Sequence, residues 1–253
     1  ALPIYKVTVV GHSLGGHLVQ VFTQFFPQSV EAAYTFNAPG FGGALAQLVD
    51  FFFPTSLDIQ SSLVTNYVAD HGFDVTARLG VLVGDTQRIF NESGGNPVDN
   101  HFMEKLTDSL SVYNLLSQVD PSLSLRVIGG ILDSTSNVAS RSLETAVDSL
   151  RALVRPGIAL PATDIGDRTG FNAVVVDLLH RLPEIAGSSV LGVQSLLELA
   201  PGDVAQRALR ADGIAFRYAL DRLQPYALTG LDYGSIDPAG ALALGTSLGE
   251  TWI

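Results

Sequence analysis

The stretch "VTVVGHSLGGHLVQ", Val7 to Gln20, constrains this chain more than any other. An apolar β-branched run stops at Gly11, a serine sits among small residues, and an apolar-periodic segment follows. A strand that turns into a helix within one or two residues leaves little room for side chains beside the bend. Gly11 and Gly15 are expected to provide that room, and Gly16 to extend it. The spacing predicts a buried parallel strand over Ile4–Val10 and a helix over Leu14–Phe26. The helix would bury Leu18, Val21, Phe22 and Phe25 and stop at Pro27. Ser13 would then stand at the bend with its hydroxyl exposed, and the backbone N–H of Leu14 would point from the helix start toward anything the hydroxyl attacks. A second G-x-S-x-G match, "GTSLG" at Gly245–Gly249, has no histidine after it in this sequence and reads as coincidence.

Further along, Ala32–Phe36 reads as a second strand running into the turn "NAPGFGG", and Ala44–Phe53 as a helix ending at Pro54. Leu63–Val68 and Thr86–Phe90 read as two more strands. Strands alternating with helices point to an α/β fold with a parallel sheet covered by helices. From His101 onward the period changes to that of helices. Phe102, Leu106, Leu110 and Tyr113 form one stripe, with others at Leu143–Val154, Asn172–Leu182, Gly192–Ala200 and Ile214–Leu223. The stretch rich in Pro, Gly and Asp from Val154 to Gly170 is the candidate linker. The expected organisation is a sheet domain over 1–120 and a mostly helical extension over 121–253.

Composition narrows the function classes. The chain has 253 residues, 47% of them apolar, which is enough for a sizeable core. A net charge of −11 with scattered Lys and Arg gives no footprint for a phosphate backbone, so nucleic acid is not an expected partner. No run approaches the roughly 20 apolar residues of a membrane-spanning helix. The absence of cysteine excludes disulfides and thiolate chemistry without fixing a compartment. Residues Ala1–Lys6 lack the basic head and apolar stretch of a signal peptide, and the chain enters its first strand abruptly, as a fragment of a longer protein would.

A serine hydroxyl needs a base, and the base needs an acid to orient it. Three histidines follow the helix of the motif: His71, His101 and His180. His101, in "PVDNHFMEKL", sits where a loop meets a helix after the last strand, the best-placed of the three. His180 lies inside a helical stripe and reads as structural, and His71 as a loop residue. For the acid, "NYVADHGFDVTARLG" offers Asp70, nearer the strand end, and Asp74, anchored by Val75 and Leu79. Spacing leaves the two open. Asp99, Asp120 and Asp133 read as caps and turn residues.

The segments "VTVVGHSLGGHLVQ", "YTFNAPGFGG" and "VTNYVADHGFDVTARLG", followed by His101, resemble the class 3 lipase branch of the α/β-hydrolases over roughly Ile4 to Leu110. The resemblance implies a nucleophile at Ser13, flanked by Gly11, His12, Leu14 and Gly15, with Asp74 as acid and His101 as base. It implies an α/β-hydrolase sheet lacking its N-terminal strands, along with the second oxyanion donor and lid those strands carry. The implied activity is ester hydrolysis through an acyl-enzyme, with no cofactor and no metal. In "LVDFFFP", Leu48 to Pro54, the phenylalanines read either as the buried side of a helix or as part of an acyl-chain pocket, which makes a lipid ester the expected substrate and a lipid interface the expected contact. The segment "AFRYALDRLQPYALTG", Ala215 to Gly230, is similar to parts of large bacterial proteins with calcium-binding glycine-rich repeats that are secreted by type I export. That likeness implies an extracellular bacterial protein, although the repeat itself is absent. The alternative is a hydrolase-like module without catalysis, serving a binding or structural role. The separation of Ser13 and His101 discriminates the two.

Overall fold

Parallel strands need a crossover between them, and the first crossover of this chain is a helix that starts one residue after its strand ends. In the computed structural model the described residues are 5–41, 61–70, 80–92 and 101–236, except 137, 139, 156, 157, 159, 165 and 223. The chain divides into two compact units, residues 1–107 and 108–253.

The first unit is built on β1 (Val7–His12), β2 (Val30–Phe36), β3 (Val64–Ala69) and β4 (Asp85–Ile89), with α1 (Leu14–Phe25) between β1 and β2. All neighbouring strands pair in parallel, in the order β1-β2-β3-β4. This is an α/β architecture, and each expected strand falls within three residues of an observed one. The expected helix over Ala44–Phe53 lies outside the described residues. The core of the unit joins Val30, Ala33 and Val64 of the sheet to Val19 of α1, with Val9 and Leu63 packed against them. Inside the sheet, Asn66 is fully buried and satisfied. It accepts from the Thr35 hydroxyl at 2.7 Å and donates to the carbonyls of Val83 at 2.8 Å and Asp85 at 3.2 Å.

Two expectations about this unit are corrected. Ile4–Val10 is expected to be a buried strand, but among the described residues β1 is an edge strand of the sheet, with Val7 and Val10 exposed. In α1 the buried side is Gly16, His17, Val19, Gln20, Thr23 and Gln24, while Leu14, Leu18 and Phe22 face outward. The cause is Gly16. A Cβ there would stand 2.6 Å from the Ala38 Cβ and 2.9 Å from the Gly11 carbonyl, so the backbone at this point lies directly on the strands. That contact fixes the rotation of the helix, and residues three, four, seven and eight positions on follow it inward. The polar groups carried inward find acceptors in part: Gln20 Nε2 and His17 Nδ1 donate to the Pro39 carbonyl at 3.2 and 3.3 Å, and the Thr23 hydroxyl to Val19 at 2.8 Å.

The second unit is mostly helical. It contains α2 (Met103–Val119, which begins in the first unit), α3 (Leu125–Ser134), α4 (Ser142–Val154), α5 (Arg168–Ala186), α6 (Pro201–Leu209), α7 (Ile214–Asp221) and the short α8 (Tyr233–Ile236). Leu115, Ile128, Leu132, Leu143, Leu150, Phe171 and Leu178 are fully buried in it. Among the described residues no helix is long and apolar enough to cross a membrane. The expected helix over Gly192–Ala200 is instead a strand, β5 (Gly192–Ser195), followed by a single 3₁₀ turn over Leu196–Glu198. β5 pairs antiparallel with β6 (Tyr226–Thr229), so alternate residues Val193 and Ser195 are buried. The leucines of 196–199 mimic a helical stripe, but the pairing partner lies some thirty residues away, beyond the reach of a local pattern.

Asp120 is the turn residue it was read to be. It accepts from the Ser122 N–H and hydroxyl, and it also accepts from the Val193 N–H of β5 at 2.9 Å. Partial burial raises its pKa, but those hydrogen bonds outweigh the burial and hold the carboxyl below the ordinary carboxylate range. Asp133 lies in the last turn of α3, and Asp99 is outside the described residues. The candidate linker is a connector within the second unit. The Thr163 N–H and hydroxyl both bond to Asp148 of α4, at 2.9 and 2.6 Å.

A charged cluster fastens three helices of this unit. Arg168 of α5 reaches Glu144 of α4 at 2.7 Å and Asp108 of α2 at 2.8 Å, while its guanidinium stacks 4.4 Å from the Phe171 ring. Glu144 is 0% exposed and Asp108 4%. Both carboxylates would be left without their cation by Arg168→Met, and removing one partner of a buried ion pair costs about 3–5 kcal/mol. Urea denaturation is expected to give a loss of that size, and a loss under about 1 kcal/mol would contradict it.

Candidate active site

The site is built at the carboxyl ends of the parallel strands, where the chain leaves each strand and bonds to the next. Ser13 N–H donates to the Phe36 carbonyl at 3.0 Å, Asn37 N–H to Tyr67 at 2.9 Å, and Asp70 N–H to Ile89 at 2.8 Å. Asn37 also accepts from the Ala69 N–H at 2.9 Å through its side chain. These bonds step across the sheet and fix where each following loop departs.

Ser13 occupies the junction between β1 and α1 with φ 53° and ψ −127°. This is the geometry of the first central residue of a type II′ turn, a place that favours glycine. A non-glycine residue there costs on the order of 1–3 kcal/mol, which the surrounding structure must offset. A serine at a helix N-cap ordinarily turns its oxygen onto the N–H groups of the first turn. Ser13 makes no such bond. Its Oγ lies 2.8 Å from Nε2 of His101. With the neutral imidazole carrying its proton on Nδ1, the hydroxyl donates to Nε2, and the ring is placed to take that proton.

The neighbours of Ser13 divide into two kinds. At Gly11 a Cβ would come within 2.4 Å of the Gly15 carbonyl, so no larger residue fits the bend. At Gly15 a Cβ would meet nothing within 4 Å, so the crowding anticipated on both sides of the serine is carried by Gly11 and Gly16. Leu14 opens α1, and the N–H groups of a first helical turn have no acceptor within the helix. His12 is half-buried, and its Nε2 lies 2.7 Å from the His101 carbonyl. Spacing gave no hint of that contact, since 89 residues separate the two.

Of the other candidates, Asp70 is exposed and engaged by Arg88 at 2.9 Å. His180 is exposed on α5, in the second unit, rather than enclosed in an apolar stripe. Asp74, His71 and the "LVDFFFP" segment lie outside the described residues. Among the described residues no group of three His, Asp or Glu side chains is arranged to hold a metal ion. α1 carries no Asp, Glu, Lys or Arg. No protein-family model matches the chain, and no curated protein matches it either.

The two glycines flanking the serine separate packing from propensity. Gly11→Ala is expected to destabilise the protein by at least about 1–3 kcal/mol, the usual cost of overpacking. Gly15→Ala should change stability by less than about 1 kcal/mol. Thermal unfolding of the two variants checks this, and equal effects would contradict the crowded bend.

Proposed function

We propose that this chain is a serine carboxylester hydrolase of the class 3 lipase kind, working through an acyl-enzyme. The observation that carries the reading is the 2.8 Å approach of Ser13 Oγ to His101 Nε2 at a strained strand-to-helix turn. A module kept only for binding or structure has no use for a serine held at positive φ with its oxygen withdrawn from the helix cap. In the proposed reaction His101 takes the hydroxyl proton as Oγ bonds to the ester carbonyl carbon. The carbonyl oxygen becomes an oxyanion beside the Leu14 N–H, and the C–O bond to the alcohol breaks as His101 returns the proton to it. Water, deprotonated by the same imidazole, then releases the acid and regenerates Ser13.

Asp74 is the proposed partner of the His101 ring. Support comes from the resemblance and from Asp70 being occupied by Arg88. An acyl ester with an apolar chain is the proposed substrate, supported by the exposed side chains of Leu14 and Leu18 one helical turn apart beside Ser13. The phenylalanines of Leu48–Pro54 are proposed to extend that surface. Secretion from a bacterium and contact with a lipid interface complete the proposal, on the sequence likenesses alone.

A fluorophosphonate probe tests the nucleophile. Oγ bonds to phosphorus, fluoride leaves, and His101 accepts the hydroxyl proton. Intact mass is expected to show one adduct on the native chain and none on Ser13→Ala, and an undiminished adduct on that variant would refute the assignment. The acid is tested separately: Asp74→Asn should slow labelling by about 10³–10⁴-fold. Asp70→Asn should slow it less than about threefold, because an exposed ion pair contributes little. The reverse order would move the role to Asp70.

A further inference from the structure

We infer that His12 is a positioning residue that holds the main chain of His101 so that its ring meets Ser13. The inference rests on the reading of Ser13 and His101 as nucleophile and base. Two consecutive residues of the bend grip the same histidine at two points: Ser13 at the imidazole, 2.8 Å away, and His12 at the backbone carbonyl, 2.7 Å away. A carbonyl oxygen only accepts, so Nε2 of His12 carries the proton and donates it. The two rings also lie against each other, with centroids 5.0 Å apart and planes tilted by 37°.

The need for such a clamp follows from the chain's path. Ser13 meets His101 at the end of a side chain with two rotatable bonds, a contact that by itself does not fix where the main chain of His101 lies. A donor on the carbonyl adds a second point of attachment, at the main chain. Because the donor belongs to the residue next to Ser13, any shift of the bend carries hydroxyl and clamp together, and the separation of Oγ and Nε2 is preserved. His12 meets His101 at its carbonyl and along its ring. Its effect reaches the reaction through His101.

Two substitutions separate the hydrogen bond from the ring contact. His12→Phe keeps the ring and loses the N–H, whereas His12→Gln keeps an N–H of similar reach and loses the ring. Fluorophosphonate labelling of the full chain is expected to slow on the order of tenfold or more in His12→Phe and to stay within about threefold of native in His12→Gln. Native-rate labelling by both variants, equal slowing of both, or slowing of the Gln variant alone would overturn the inference. A native chain that takes no adduct would count instead against the hydrolase reading. The ¹⁵N-histidine spectrum of the native chain at mildly alkaline pH provides a check independent of how the variants fold. His12, assigned by its loss in His12→Gln, is expected in the Nε2–H tautomer with a slowly exchanging proton. The Nδ1–H tautomer would overturn the inference.

Discussion

The close approach of Gly11 to the Gly15–Gly16 backbone is the constraint on which the first unit depends. Because no side chain stands between strand and helix there, the chain reverses within one residue, and that residue must take a positive φ. Ser13 is therefore strained by the bend itself. The same contact seats α1 on β1 and β2 with its small and polar side inward, which decides the packing of the helix along its length.

Strain of this kind persists only where the surroundings over-determine it. Here β1 is paired to β2 through His12 and Phe36, and the Ser13 N–H continues the ladder one step beyond the strand. On the other side the Ser13 carbonyl accepts from the His17 N–H at 3.1 Å, the first bond of α1. Both backbone groups of the strained residue are thus committed to regular structure, and only the hydroxyl is left for chemistry. A second positive φ, at Asn37, repeats the arrangement one strand over, with its side chain committed to β3.

What the sequence made legible and what it hid divide along physical lines. The parallel strands and the bend at Ser13 were readable because both are local: β-branched runs and a glycine-flanked serine announce themselves within a few residues. His101 stood out from His71 and His180 by its place between loop and helix. The inward face of α1 was misread because hydrophobic periodicity assumes that apolar burial sets a helix's rotation, and here a backbone contact at Gly16 overrode it. β5 was hidden for the opposite reason, since its partner β6 is remote and its flanking leucines carry a helical period. The His12 contact joins residues 89 apart through a main-chain carbonyl, a group with no signature in the residue code.

The absence of Asp, Glu, Lys and Arg from α1 bears on the field at its first turn in different media. The helix's own contribution to the field at its start comes from aligned peptide groups held at fixed orientation, since α1 carries no carboxylate, ammonium or guanidinium group. Dissolved salt damps exposed point charges beyond about 10 Å at 0.1 M, but it reaches partly enclosed dipoles far less. The part of the polarity beside Ser13 that α1 supplies is therefore a property of the folded backbone, nearly the same in dilute buffer and in brine.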